Sequence, residues 1–73
     1  ENLVSRSQAK RLLARVDRFE TVILDFNGVE SVGQAFADEI FRVFAAQHPN
    51  VALLELNANS AVKRMISRAR AQR

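Results

Sequence analysis

The sequence has no cysteine, tryptophan or tyrosine, and only one histidine, one proline and two glycines. The absence of cysteine excludes a disulfide framework and a thiolate metal site. His48 is the single imidazole, so a site that needs two is excluded, and its place beside Pro49 predicts a surface residue. No apolar run exceeds four residues, which excludes a transmembrane helix. No basic-then-apolar signal segment opens the chain. We therefore expect a cytoplasmic protein without metal or cofactor.

What is present is globular composition, with 48% hydrophobic and 26% charged residues. A chain of 73 residues is long enough for one modest core, so we expect a single domain over residues 1–73. Because so small a core gives little net stability, we expect the domain to be stabilised by contact with a dimer partner or with the rest of a longer protein. The first residue is Glu1 and not Met, and we expect the chain to be part of a longer protein.

The net charge is +3, and the basic residues gather towards both ends of the sequence. Acidic residues are intermixed, so solvated helix faces explain most of these cations. The alternative is a basic surface for nucleic acid built from the first and last helices, although no aromatic residue is interleaved for base stacking. That alternative is favoured if five cations share one face, and it loses most of its support if they are scattered: Lys10, Arg11, Arg15, Arg64 and Arg68.

Three helical patterns alternate with three strand-like segments. Residues 2–4 resemble the end of a strand, and Ser5 with Gln8 forms a capping box at a helix start. Apolar residues at helical spacing then predict an amphipathic helix over residues 6–17.

The middle of the chain repeats this order. Residues 21–26 are nearly all apolar, without alternation, which is typical of a central parallel strand covered on both faces. Asn27 and Gly28 indicate a turn, and Ser31 with Gln34 repeats the capping pattern. The helix that follows carries a broad apolar stripe, formed by Phe36, Ala37, Ile40, Phe41 and Phe44.

The last third completes a β-α-β-α-β-α order. Pro49 ends the second helix, residues 51–56 form the third strand, and Asn57 or Asn59 caps the last helix. This alternation predicts a small α/β domain with a mostly parallel sheet and helices. If the first strand is truncated, the sheet has an exposed edge through which a homodimer could form.

Residues 22–33 read Val-Ile-Leu-Asp-Phe-Asn-Gly-Val-Glu-Ser-Val-Gly. This resembles the signature of STAS domains, the fold of the bacterial anti-sigma factor antagonists, in which Asp-Ser-Ser-Gly opens a helix after the strand and turn. The resemblance covers residues 20–70. Residues 5–13 and 32–44 resemble, more narrowly, an uncharacterised STAS-like family whose members are often linked to histidine-kinase-type ATPase domains.

One departure from the signature bears on function. In phosphorylatable STAS domains a serine in this motif accepts phosphate from an anti-sigma kinase, whereas Gln34 stands in the corresponding place here. Glutamine has no hydroxyl nucleophile, so the usual phosphate switch is not available.

The resemblance therefore implies a non-catalytic, regulatory protein-binding module. Its partner is expected to be a protein, and a histidine-kinase-type ATPase in the same or a separate chain is one candidate. The expected partner-binding residues lie on the loop after the middle strand and at the start of the second helix: Asn27, Gly28, Ser31, Gly33, Gln34 and Asp38.

An enzyme is the third hypothesis. The run from Asp25 to Val29 resembles the nucleophile loop of haloacid-dehalogenase phosphatases, but Asn27 stands where a second Asp is needed. The sequence favours a structural Asp25 whose carboxylate accepts a hydrogen bond from the backbone N–H of Asn27 or Gly28.

Overall fold

The computed structural model describes residues 2–72, which form a layer of helices over a two-stranded sheet. The helices and strands are, in chain order, α1 (Arg6–Leu12), a 3₁₀ turn (Val16–Arg18), β1 (Thr21–Asp25), α2 (Gln34–Asp38), a π-helical segment (Glu39–Phe44), α3 (Ala45–Gln47), β2 (Ala52–Leu56) and α4 (Ser60–Ala71). We call the continuous run of α2, the π-helical segment and α3 the central helix.

The first helix begins where the sequence predicts but ends earlier. The Ser5 hydroxyl accepts from the Gln8 backbone N–H at 3.2 Å, and the Gln8 side-chain oxygen accepts from the Ser5 N–H at 2.9 Å, so the capping box is confirmed. The prediction of a helix over residues 6–17 is wrong, because α1 ends at Leu12. Arg15 takes a left-handed backbone conformation, with φ of 71°, and turns the chain towards β1.

Replacing Arg15 with glycine tests the backbone turn that ends α1. The left-handed region is disfavoured for a residue with a Cβ and open to glycine. We expect Arg15→Gly to raise the free energy of unfolding by about 0.5–1 kcal/mol, measured by urea denaturation. Arg11→Gly is the control, because Arg11 lies inside α1 and glycine there should destabilise the fold. A loss of stability in both variants would contradict the role assigned to Arg15.

The two strands run parallel, and their register pairs Thr21 with Ala52 and Asp25 with Leu56. The expectation that the middle strand is covered on both faces is wrong. Leu24 faces the helices and is buried, whereas Ile23 is 56% exposed on the opposite face. The sheet is therefore covered by helices on one face only, and its other face displays Ile23 beside two leucines of β2, Leu54 and Leu56.

The predicted first strand is reduced to one parallel bridge between Leu3 and Val32. The Gly33 N–H donates to the Leu3 carbonyl at 2.7 Å, which fixes residues 2–4 beside the start of the central helix and not in the two-stranded sheet. The predicted α/β class with a parallel sheet is confirmed. The described residues form two strands, whereas the predicted β-α-β-α-β-α order has three.

Gly33 allows this close approach of two backbone segments. A Cβ at position 33 would lie 2.8 Å from the Val4 Cα and 2.9 Å from the Val4 carbonyl oxygen. The backbone of Gly33 is extended, with φ of −77°, so the need for glycine is steric. Gly28 has φ of +80° and no neighbour within 4 Å of an added Cβ, so its need is conformational.

This difference between the two glycines can be tested with asparagine, which tolerates the left-handed region but has a Cβ. We expect Gly33→Asn and Gly33→Ala to lower the free energy of unfolding by about 1–3 kcal/mol, because the Val4 backbone must move. Gly28→Asn should cost less than about 1 kcal/mol. Urea denaturation measures all three, and equal losses for the two asparagine variants would rule out the steric explanation.

The central helix begins at Gln34, and Gly33 is its N-cap without a side-chain hydrogen bond. The predicted Ser31–Gln34 capping box is therefore wrong: Ser31 pairs with no N–H of this helix, because the bridge at Val32 keeps the chain extended up to Gly33. The predicted stripe is confirmed as the centre of the core, in which Phe36, Ala37, Ile40, Phe41 and Phe44 are all buried. The π-helical segment within this helix was not predicted.

The last helix is capped by Asn59, whose side-chain oxygen accepts from the Val62 N–H at 2.8 Å. This confirms one of the two predicted caps. Val62, Ile66 and Ala69 of α4 are buried in the core, and α4 packs against the central helix. None of the helices within residues 2–72 has the length and hydrophobicity to cross a membrane.

Candidate functional site

The six predicted partner-binding residues do not line a single depression. Asn27 and Gly28 lie in a turn closed by the hydrogen bond from the Val29 N–H to the Phe26 carbonyl, at 3.0 Å. Gly28 and Ser31 line one depression, whereas Gln34 and Asp38 line another. Gly33 packs against Val4 and is half-buried, so its role in the structure is to let two backbone segments meet.

The first depression lies on the loop after β1, and we call it the loop groove. It has a volume of about 490 Å³ and is lined by Asn2, Gly28, Val29, Glu30 and Ser31. Asn59 holds the loop against the start of α4, because its side-chain amide donates to the Glu30 carbonyl at 2.9 Å. The same side chain caps α4, so one asparagine couples the loop to the last helix.

The second depression is an open cleft of about 550 Å³ at the start of the central helix, and we call it the arginine cleft. α1 provides Arg6, the central helix provides four residues, and Gln72 follows α4. The lining residues are Arg6, Gln34, Ala35, Asp38, Arg42 and Gln72. Gln34 is exposed and lines this cleft together with the two guanidinium groups.

Asp38 lies at the base of this cleft and is held by both arginines. Arg6 Nη1 and Arg42 Nη2 each donate to Asp38 Oδ2 at 2.7 Å, and Arg42 Nε donates to Oδ1. Arg6 Nη1 also lies 3.5 Å from Glu39 Oε1. Asp38 and Arg42 thus form an i, i+4 ion pair, and both Asp38 and Glu39 are buried.

These contacts set the protonation of the cluster. Hydrogen bonds from Arg42 and then Arg6 hold the pKa of the Asp38 carboxyl well below its usual range, and they outweigh the opposing effect of burial. The hydrogen bond to Asp38 in turn raises the pKa of Arg6 and of Arg42. All three groups therefore stay charged at neutral pH, and Asp38 is a fixed anion beneath two fixed cations.

Asp25, the residue of the phosphatase hypothesis, uses its carboxylate in hydrogen bonds to the surrounding loops. Its Oδ1 accepts from the Asn27 N–H and from the Asn57 side-chain amide, both at 3.0 Å. The hydrogen bond from Asn57, and then that from Asn27, lowers the pKa of the Asp25 carboxyl. The expected bond between Asp25 and the Asn27 backbone is confirmed. The bond from the Asn57 side chain joins the ends of β1 and β2.

Four of the five basic residues of the nucleic-acid hypothesis line three different grooves. Lys10 and Arg15 line a groove beside the end of the central helix, Arg11 lines a groove near Leu3, and Arg68 lies between α2 and α4. His48 is half-buried and not on the open surface as expected, because its ring packs on that of Phe44 with centroids 4.4 Å apart.

Sequence reasoning missed four of the six residues that line the arginine cleft, which are Arg6, Ala35, Arg42 and Gln72. Arg6 and Gln72 come from opposite ends of the chain, and neither belongs to the motif that identified Gln34. Arg6 lies 32 positions before Asp38, a separation at which no local spacing indicates contact. Its only signal was its place at the first position of a capped helix beside the bridging segment.

The pH dependence of folding tests the contacts of Asp38. Because its folded-state pKa is depressed, Asp38 stabilises the fold above the pKa of the unfolded chain, about 4, and this contribution is lost as the pH falls below that value. We expect Asp38→Asn to lower the free energy of unfolding by about 1–2 kcal/mol at neutral pH, since both arginines keep contact with water. The variant should also lose stability less steeply between about pH 5 and pH 3.

Urea denaturation across this pH range measures both effects. The control is Asp17→Asn, which removes an exposed carboxylate that has no ion pair within residues 2–72. An acid profile of Asp38→Asn that matches the unsubstituted chain would exclude Asp38 as a source of the pH dependence.

Comparison with known proteins identifies the family. The family model described as STAS-like domain of unknown function (DUF4325) matches residues 8–63, more than half of the chain. No curated protein and no solved structure matches. The matched region includes the β1 strand, residues 28–31 of the loop groove and the central helix with Gln34. By this match, the small α/β chain belongs to the STAS-like domain family.

Proposed function

We propose that this domain is a non-catalytic regulatory module that binds a protein through the loop over residues 27–34 and the start of the central helix. The observation that carries the proposal is the position of Gln34, exposed at the first residue of that helix and lining the open arginine cleft. In STAS signatures the corresponding position carries the phosphorylatable serine. By resemblance to those domains, we assign this position to partner docking.

Glutamine at this place changes how docking would be controlled. A phosphoserine would add close to two negative charges at a helix start, whereas a glutamine amide stays neutral and offers both a donor and an acceptor. Docking through Gln34 is therefore constitutive, or it is controlled by a signal other than phosphorylation at this position.

The partner we propose is a protein, with a histidine-kinase-type ATPase as the first candidate, in the same chain or in a separate one. This candidate rests on the sequence resemblance to STAS-like proteins that are often linked to such ATPase domains. We place the interaction in the cytoplasm, where an ATPase of this type has its nucleotide. Asp25, the residue on which an enzyme would depend, already has hydrogen-bond partners that explain it.

Capture of partners from a lysate of source cells tests the proposal with the purified chain and two variants as baits. Gln34→Asp puts a charge on the proposed surface, and Gln47→Asp makes the same change at an exposed position at the end of the central helix. We expect the unsubstituted chain to capture a discrete protein that stays bound through moderate salt and nuclease treatment. The Gln34→Asp bait should retain at least about tenfold less of that protein, which corresponds to a loss of about 1.4 kcal/mol of binding free energy.

The two variants separate the outcomes. Equal retention by Gln34→Asp and Gln47→Asp would exclude the proposed surface, provided that thermal melting shows both variants folded. Recovery of mixed nucleic acid that washes off with salt would overturn the proposal in favour of a basic nucleic-acid surface, since such binding depends on counterion release.

A further inference from the structure

The arginine cleft has the chemistry of a carboxylate site. We propose that it binds an aspartate or glutamate side chain of an acidic peptide segment, with Arg6 and Arg42 as the residues that hold the carboxylate. The inference deepens the proposed function and rests on it, because it assigns to the docking surface the kind of partner group that it recognises.

The first argument is the arrangement of charge by depth. The Asp38 and Glu39 side chains are 12% and 10% exposed, whereas those of Arg6 and Arg42 are 48% and 38% exposed. The two anions thus lie beneath the two cations. A ligand that approaches from solvent meets the guanidinium groups first, so the cleft attracts an anion although the four charges cancel in number.

The second argument is the geometry of the donors that remain. Arg42 uses Nε and Nη2 on Asp38, and Arg6 uses Nη1 on Asp38 and Glu39. Arg42 Nη1 and the Nε and Nη2 of Arg6 have no hydrogen-bond partner within residues 2–72. Because Asp38 already fixes both guanidinium groups, little side-chain entropy is lost when these donors bind a second carboxylate.

The third argument distinguishes a carboxylate from a phosphate. The two arginine charges are balanced by the two buried carboxylates, so the cluster has no net charge. Because no excess positive charge is present to neutralise a second negative charge, a ligand with one negative charge is favoured over a ligand with two. Gln34 and Gln72 add neutral amide donors to the wall of the cleft. No residue that lines it is aromatic, so it offers no platform on which a nucleic-acid base could stack.

Titration of the isotope-labelled chain with a capped tetraglutamate peptide, followed by two-dimensional NMR, tests the inference. We expect backbone shifts at Gln34 and Ala35 and shifts of the Arg6 and Arg42 Nε–H signals. Arg6→Gln and Arg42→Gln should each weaken binding about tenfold, as expected for the loss of a charge-assisted hydrogen bond. Arg6→Lys, which keeps the charge but loses the planar fork, should weaken it by a smaller factor.

Matched controls separate the cleft from the general basic charge of the chain. Arg11→Gln makes the same charge change on the same helix as Arg6, at an exposed position that lines a different groove. Arg64→Gln makes it on α4. Both should leave tetraglutamate affinity within about twofold of the unsubstituted chain. Capped tetraglutamine is the uncharged probe, and it should not bind.

Three outcomes would overturn the inference. In the first, shifts appear at Lys10 and Arg15 and not at Gln34, or all four glutamine variants weaken binding equally, which indicates non-specific attraction. In the second, inorganic phosphate binds more than about tenfold tighter than tetraglutamate at the same residues, which assigns the cleft to phosphate. In the third, tetraglutamate does not bind the folded chain. If Gln34→Asp still loses the captured protein while tetraglutamate fails, the docking module stands and only the acidic-peptide assignment falls.

Discussion

The packing of α1 on the central helix depends on the ion pairs that Asp38 makes with Arg6 and Arg42. A buried charge is costly without partners, and Asp38 has two, of which Arg6 comes from another helix. The ion pair therefore fastens α1 to the central helix and fixes the direction of both guanidinium groups at once. Since those groups form the rim of the arginine cleft, the same interaction that stabilises helix packing also prepares the surface that we propose for docking.

A second constraint brings Arg6 within reach. The Leu3–Val32 bridge and the absence of a Cβ at Gly33 let residues 2–4 run directly beside the start of the central helix. The capping box at Ser5 then starts α1 at once, so Arg6 is its first residue. A larger residue at position 33 would separate the two segments by the width of a side chain. Gly33, expected to contact a partner, thus acts on the site by positioning other residues.

Local signals predicted what depends on neighbours in the sequence. The Ser5 capping box, the Asn59 cap and the apolar stripe of the central helix are all present, because each follows from spacing within one or two helical turns. Long-range features were missed: the turn at Arg15, the open face beside Ile23 and the burial of Asp38. Each depends on which elements meet in space, and an apolar run such as residues 21–26 has the same pattern whether one face is covered or two.

The geometry also separates two surfaces that a partner could use. The arginine cleft belongs to the helical layer, whereas Ile23, Leu54 and Leu56 lie on the far face of the sheet. Exposed apolar side chains offer no directional contacts and distinguish poorly between partners, whereas directed guanidinium donors recognise the plane of one carboxylate. Specificity is therefore better served by the cleft. A protein docked there leaves the sheet face uncovered, so contacts on the two sides of the domain do not compete for the same residues.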